Sequence, residues 1–129
     1  MIVVDTAAVI DALRVTADSD RLRDRLSAEE LHAPNLLDYE VMSAVRGLVL
    51  GGHLSAPGAD DVLTDFDDLE IRRWPSTDGL RRRSLQLRDN VSAYDAAYVA
   101  LAEALACPLV TRDRRLARTT GHDARVEVL

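Results

Sequence analysis

Met1-Ile2-Val3-Val4-Asp5-Thr6-Ala7-Ala8-Val9-Ile10-Asp11-Ala12-Leu13 opens the chain, and its reading decides the fold. Met1 to Asp5 reads as a short buried strand, an unbroken β-compatible apolar run ended by an acid. A helix follows, with Val9, Ile10 and Leu13 on one face and Thr6 placed to cap it. The rest of the chain continues this alternation. Ser19 to Leu26 reads as a short polar helix, and Leu31 to Ala33 as a second strand stopped by Pro34. Asn35 stands as an N-cap with Asp38 in capping-box position. Leu37, Val41, Ala44, Val45 and Leu48 then recur at helical spacing until Gly51-Gly52. Ser55-Ala56-Pro57 starts a helix with Val62, Phe66 and Leu69 inward, and Ile71 to Trp74 is a strand closed by Pro75. A helix runs from Ser76 to about Arg88, and Ser92 caps another over Ala93 to Ala106. Pro108 to Thr111 is a fourth strand and Arg125 to Leu129 a fifth. Short apolar strands alternating with helices define an α/β fold with a mainly parallel sheet of about five strands.

The 129 residues have the size of one domain, expected to span 1–129, and 47% hydrophobic content is enough to build a core without disulfides. A lone cysteine, Cys107, fits a reducing compartment, and there is neither an apolar run of membrane-spanning length nor a basic-then-apolar leader, so a cytoplasmic protein is expected. All 16 basic residues are arginine. Without lysine, P-loop and Schiff-base chemistry are excluded. A net charge of −6 argues against bulk nucleic-acid binding, so any such contact must come from local arginine clusters. His32, His53 and His122 lack metal-ligand spacing. Arg81-Arg82-Arg83 reads as a solvated helix face and Trp74 as packing.

In a parallel sheet, ligands bind beyond the carboxyl ends of the strands, and four acids fall there. Asp5 ends the first strand, Asp113 follows the fourth, Asp95 lies in the first turn of the apolar helix, and Glu40 lies in the second turn of the Asn35 helix. Each has a plainer reading. Asp5 can cap a helix, Ser92-x-x-Asp95 is a capping box, Glu40 can be solvated, and Asp113 can pair with a neighbouring arginine. Asp38 projects as near the apolar face as Glu40, so periodicity does not choose between them. Carboxylates converging at one edge repel one another, which predicts raised pKa values across the set, and they need a cation to coexist charged. Hard oxygen ligands suit Mg²⁺ or Mn²⁺, the metals of phosphodiester hydrolysis.

Four blocks carry a resemblance: Val3-Val4-Asp5-Thr6-Ala7, Asn35-Leu36-Leu37-Asp38-Tyr39-Glu40-Val41, Ser92-Ala93-Tyr94-Asp95-Ala96-Ala97-Tyr98-Val99-Ala100-Leu101-Ala102-Glu103, and Leu109-Val110-Thr111-Arg112-Asp113-Arg114-Arg115-Leu116. Their order and spacing resemble the PIN-domain ribonucleases, and more narrowly the VapC toxins of bacterial toxin–antitoxin pairs. The Tyr-Asp-Ala-x-Tyr block followed by Thr-x-Asp is the most specific part. Leu116, where many relatives carry an aromatic, is the one mild departure.

The resemblance implies a three-layer α/β/α domain with Asp5, Glu40, Asp95 and Asp113 holding Mg²⁺ or Mn²⁺. It favours Glu40 over Asp38, and it gives Thr6 and Thr111 hydroxyls that support the acids. It further implies an endoribonuclease that cuts structured RNA, such as tRNA or rRNA loops, leaving 5′-phosphate and 3′-hydroxyl ends and arresting translation and growth. A homodimer and a cognate VapB-type antitoxin, assembling into a larger complex, complete the expectation. Arg112, Arg114 and Arg115 beside the acids are candidates for RNA phosphate. The competing readings are a PIN fold that grips RNA or protein without cutting, and a phosphatase or DNA nuclease using the same acids.

Overall fold

Ile2, Val3 and Val4 are wholly buried, so three residues suffice for a strand at the centre of a sheet covered on both faces. The computed structural model describes residues 1–129. Its strands are β1 (Ile2–Val4), β2 (Leu31–Pro34), β3 (Ile71–Trp74), β4 (Leu109–Thr111) and β5 (Val126–Val128). They form one sheet in the order β3-β2-β1-β4-β5, with every neighbouring pair parallel. The helices are α1 (Thr6–Leu13), α2 (Asp20–Ser27), α3 (Leu36–Leu50), α4 (Ala56–Asp68), α5 (Asp78–Gln86) and α6 (Ala93–Leu105), with short 3₁₀ turns at Ala17–Ser19 and Leu116–Arg118.

The strand order fixes the layers. From β1 to β3 the chain advances in one direction, then returns across β2 and β1 to β4. Right-handed crossovers therefore set α1 to α4 on one face and α5 and α6 on the other, a three-layer α/β/α fold. Packing follows this division: α1 contacts α2, α3 and α4, whereas α5 contacts α6, which covers β1, β2 and β4. Val9, Leu37, Val41 and Leu22 fill the core on one side, and Val99, Leu101 and Tyr98 fill it on the other. The order reverses between β1 and β4, leaving a crevice beyond their carboxyl ends. No helix is long and apolar enough to cross a membrane.

Several local expectations change. Helix α1 is capped by Asp5 rather than Thr6, because the carboxylate Oδ1 accepts the Ala8 N–H at 2.9 Å. Asn35 is already in the helical region (φ −53°, ψ −25°) and its side chain makes no cap bond. The Asp38 carboxylate is consequently free, and it takes Arg73 Nη2 of β3 at 3.0 Å. Pro34 completes β2 instead of stopping it, and Thr77 caps α5, which therefore starts at Asp78 and ends at Gln86. Helix α6 ends on Ala106 in the left-handed region (φ 51°), a conformation that usually calls for glycine. Cys107 is buried and unpaired.

Candidate active site

Asp5, Thr6, Glu40, Asp95 and Asp113 line one cavity of about 350 Å³, together with Ala7, Ile10, Asp11, Ala44 and Tyr98. All four acids expected from the sequence, separated by up to 108 positions, thus meet at the β1/β4 crevice. Each arrives on a different element. Asp5 is the residue after β1, Glu40 is in the second turn of α3, Asp95 is in the first turn of α6, and Asp113 follows β4.

Asp5 is the buried member. Its Oδ1 is spent on the Ala8 amide and its Oδ2 accepts the Thr111 hydroxyl. Thr111 Oγ1 in turn accepts the Asp113 N–H at 2.9 Å, so one hydroxyl couples the β1 acid to the β4 loop. Burial pushes the Asp5 carboxyl up to about 6; its two donors work against that shift, while the nearby charges of Asp95 and Asp113 add to it. Asp113 goes the other way. Arg115 donates to it through its backbone N–H at 2.9 Å and its guanidinium at 3.2 Å, which holds the carboxyl below its ordinary value. The expectation of raised values across the set therefore fails at Asp113, where an arginine two residues along neutralises the charge.

Glu40 is held from two other helices. Its Oε1 accepts Thr6 Oγ1 at 3.0 Å and the Tyr98 hydroxyl at 2.6 Å. Asp38, its sequence rival, is exposed and engaged with Arg73. Half of the expected capping box at Asp95 forms: Ser92 Oγ accepts the Asp95 N–H at 3.4 Å, but the Asp95 carboxylate makes no return bond and lines the cavity. Tyr98 closes the Tyr-Asp-Ala-x-Tyr block, but along α6 it reads as one more apolar position and the sequence assigns its hydroxyl no role. Asp11 was missed too. It lines the cavity and takes Arg112 Nε at 2.8 Å, while Arg112 Nη1 donates to the Leu129 carbonyl at 2.6 Å. Of the three candidate phosphate-binding arginines, Arg112 and Arg115 are therefore paired with acids; Arg114 is exposed and has no acidic partner.

The donor set is all oxygen, as hard divalent cations require. No three acid, histidine or cysteine side chains stand close enough to enclose an ion by themselves. Mg²⁺ needs no such cage, because it keeps several waters and takes one or two carboxylates with substrate phosphates. Four carboxylates line the cavity, and Asp5, Glu40 and Asp95 have no arginine partner, so the residues fit such an ion.

A PIN domain family model matches residues 2–121. Ribonuclease VapC12 of Mycobacterium tuberculosis is 39% identical over 129 residues, covering 100% of this chain and 99% of that protein. Ribonuclease VapC9 of the same species is 44% identical over 119 residues, 92% of this chain and 91% of the relative. The crystal structure of VapBC2 from Rickettsia felis, bound to a DNA fragment from their promoter, superposes with a TM-score of 0.71 at 15% identity, over 99% of this chain and 98% of that one. The chain belongs to the PIN-domain family, and within it to the VapC branch.

Proposed function

We propose that this protein, as one PIN domain over residues 1–129, is a Mg²⁺- or Mn²⁺-dependent endoribonuclease toxin of a toxin–antitoxin pair, acting in the cytoplasm. One observation carries the reading: Asp5, Glu40, Asp95 and Asp113 line a single cavity, in a chain similar along its full length to proteins named VapC ribonucleases. Asp5, Glu40 and Asp95 would hold the ion, with Asp113 on a second ion or a bridging water. When bound, such an ion makes water a nucleophile at neutral pH and offsets charge on the phosphate. The chain's own residues prepare for this. Thr111 orients Asp5, Thr6 orients Glu40, and Arg114 is free to hold a flanking phosphate. A structured RNA presenting a loop suits an open cavity among acids, since only a locally exposed phosphate can enter. A VapB-type antitoxin partner is supported by the toxin–antitoxin complexes whose toxin chains share this fold. A homodimer follows from the family likeness.

The test compares wild type with Asp95→Asn on total RNA and on DNA of matched sequence, with Mn²⁺ and with chelator. The expected result is RNA cleavage by wild type with metal alone, and relief of growth arrest by the variant. Cleavage of DNA at an equal rate would move the protein to the DNA nucleases. Residual RNA cleavage above about a tenth of wild type would remove Asp95 from the ligand set, since an amide keeps the shape and loses the charge that holds the ion.

A further inference from the structure

Glu40 Oε1 accepts two hydroxyls at once, Tyr98 at 2.6 Å and Thr6 at 3.0 Å, and those hydroxyls are themselves 3.1 Å apart. Both hydroxyls are within donor distance of the same carboxylate oxygen, while Oε2 has no hydrogen-bond partner. The three residues come from α1, α3 and α6, so this is the point where three helices of the site are tied together by side chains. Tyr98 lies one turn after Asp95 on α6, which puts both on the cavity side of that helix. Its ring is almost wholly buried in the core.

We infer that Tyr98 is a positioning residue for the metal site: with Thr6 it saturates one oxygen of Glu40 and so aims the other, Oε2, into the cavity. This rests on the proposed role of Glu40 as a ligand and adds to it a residue whose hydroxyl touches neither metal nor substrate. A carboxylate held by a single donor can rotate about its last torsion, and the geometry offered to an ion is lost with that freedom. Partners behind a ligand typically alter metal affinity or activity by about 10- to 100-fold when removed. Phenylalanine at position 98 keeps the buried ring and removes only the donor.

The experiment uses the purified full chain and Mn²⁺ as the probe, with Mn²⁺ binding followed by electron paramagnetic resonance and melting recorded in chelator. Tyr98→Phe should weaken Mn²⁺ binding by about 10-fold while its metal-free melting temperature stays close to wild type. Thr6→Val should weaken binding in the same direction, and Thr6→Ser should restore it. Wild-type Mn²⁺ affinity in Tyr98→Phe overturns the inference. Should Tyr98→Phe fail to fold, the Thr6 pair decides: loss with valine and recovery with serine supports the shared-oxygen clamp, and no loss with valine overturns it. Glu40→Gln separates the two levels of the argument. If it binds Mn²⁺ like wild type, Glu40 is no ligand and the inference falls with that assignment; if it loses Mn²⁺ while Tyr98→Phe does not, only the role of Tyr98 falls.

Discussion

Two clusters of acids on this small protein are treated in opposite ways. Arg25 of α2 holds two glutamates at once, donating from Nη1 to Glu29 at 2.7 Å and from Nε and Nη2 to Glu127 at 3.0 and 3.2 Å. The N-terminal ammonium also meets Glu29. Both glutamates fall below their ordinary pKa, chiefly through these donors. At the β1/β4 crevice Asp5 has only an amide and a hydroxyl as donors, and its carboxyl rises to about 6. The chain has 16 arginines and brings none of them into an ion pair with Asp5, Glu40 or Asp95. Acids that serve the fold are neutralised from within, whereas Asp5, Glu40 and Asp95 are left without an internal cation, as the proposed metal site requires.

That contrast is sharpest in activity. Glu40→Gln should lower RNA cleavage by at least about 100-fold if the carboxylate holds the ion. Asp38→Asn should keep most activity, because Asp38 spends its charge on Arg73. Equal losses in the two variants would show that position along α3, not the electrostatic setting, decides. Initial rates on total RNA at saturating Mn²⁺ measure both.

Much of this arrangement was legible in the sequence, and what escaped it has a common cause. The mainly parallel sheet of short strands, the site beyond their carboxyl ends and the four acids are read from the sequence; the order β3-β2-β1-β4-β5 is not, since long-range strand pairing sets it. Periodicity leaves Glu40 and Asp38 level and only the family resemblance favours Glu40; the physical reason is Arg73, 35 positions away, which engages Asp38. Tyr98 stands in the Tyr-Asp-Ala-x-Tyr block, but the role of its hydroxyl is not legible there, because its partner Glu40 lies 58 positions back. Arg112 read as a phosphate contact until Asp11, 101 positions earlier, appeared beside it. Local signals also competed. Asp5 is both the cap of α1 and a member of the cavity, two readings that looked exclusive.

A middle-sized effect is expected at the neutralised cluster. Arg25→Ala should lower the melting temperature by roughly 3 °C at pH 7, the scale of part-exposed ion pairs in a domain this size. Because Glu29 and Glu127 have lowered folded pKa values, their contribution is present above the ordinary glutamate range and is lost as pH falls through the folded values. The difference between wild type and variant should therefore close below about pH 4. Melting curves across pH test this, and a difference that persists in acid would assign the role of Arg25 to packing.

The smallest effect concerns RNA contact. Arg114→Ala should reduce the log–log salt slope of RNA binding by about 0.7, the loss of one phosphate contact on a single strand. Arg112 is a poor test of the same idea, since its removal frees Asp11 and the Leu129 carbonyl. An unchanged slope, read by filter binding with Ca²⁺ in place of the active metal, would remove Arg114 from the RNA surface.

The account rests on a crevice built to be incomplete without a cation, and melting of wild type against Asp5→Asn tests this most directly. The folded Asp5 carboxyl is raised from 3.8 to about 6, which costs on the order of 3 kcal/mol at neutral pH without metal. This penalty fades as pH falls through 6 and is gone below 3.8, where both states bind the proton. In chelator at pH 7, Asp5→Asn should therefore melt above wild type, since asparagine keeps an acceptor for Ala8 and loses the buried charge. At about 100 times its dissociation constant, Mn²⁺ should add about 2.7 kcal/mol to wild type and much less to the variant, which removes or reverses the variant's lead. If both proteins instead shift equally with Mn²⁺, Asp5 holds no ion, and the claim that its buried charge waits for one is contradicted.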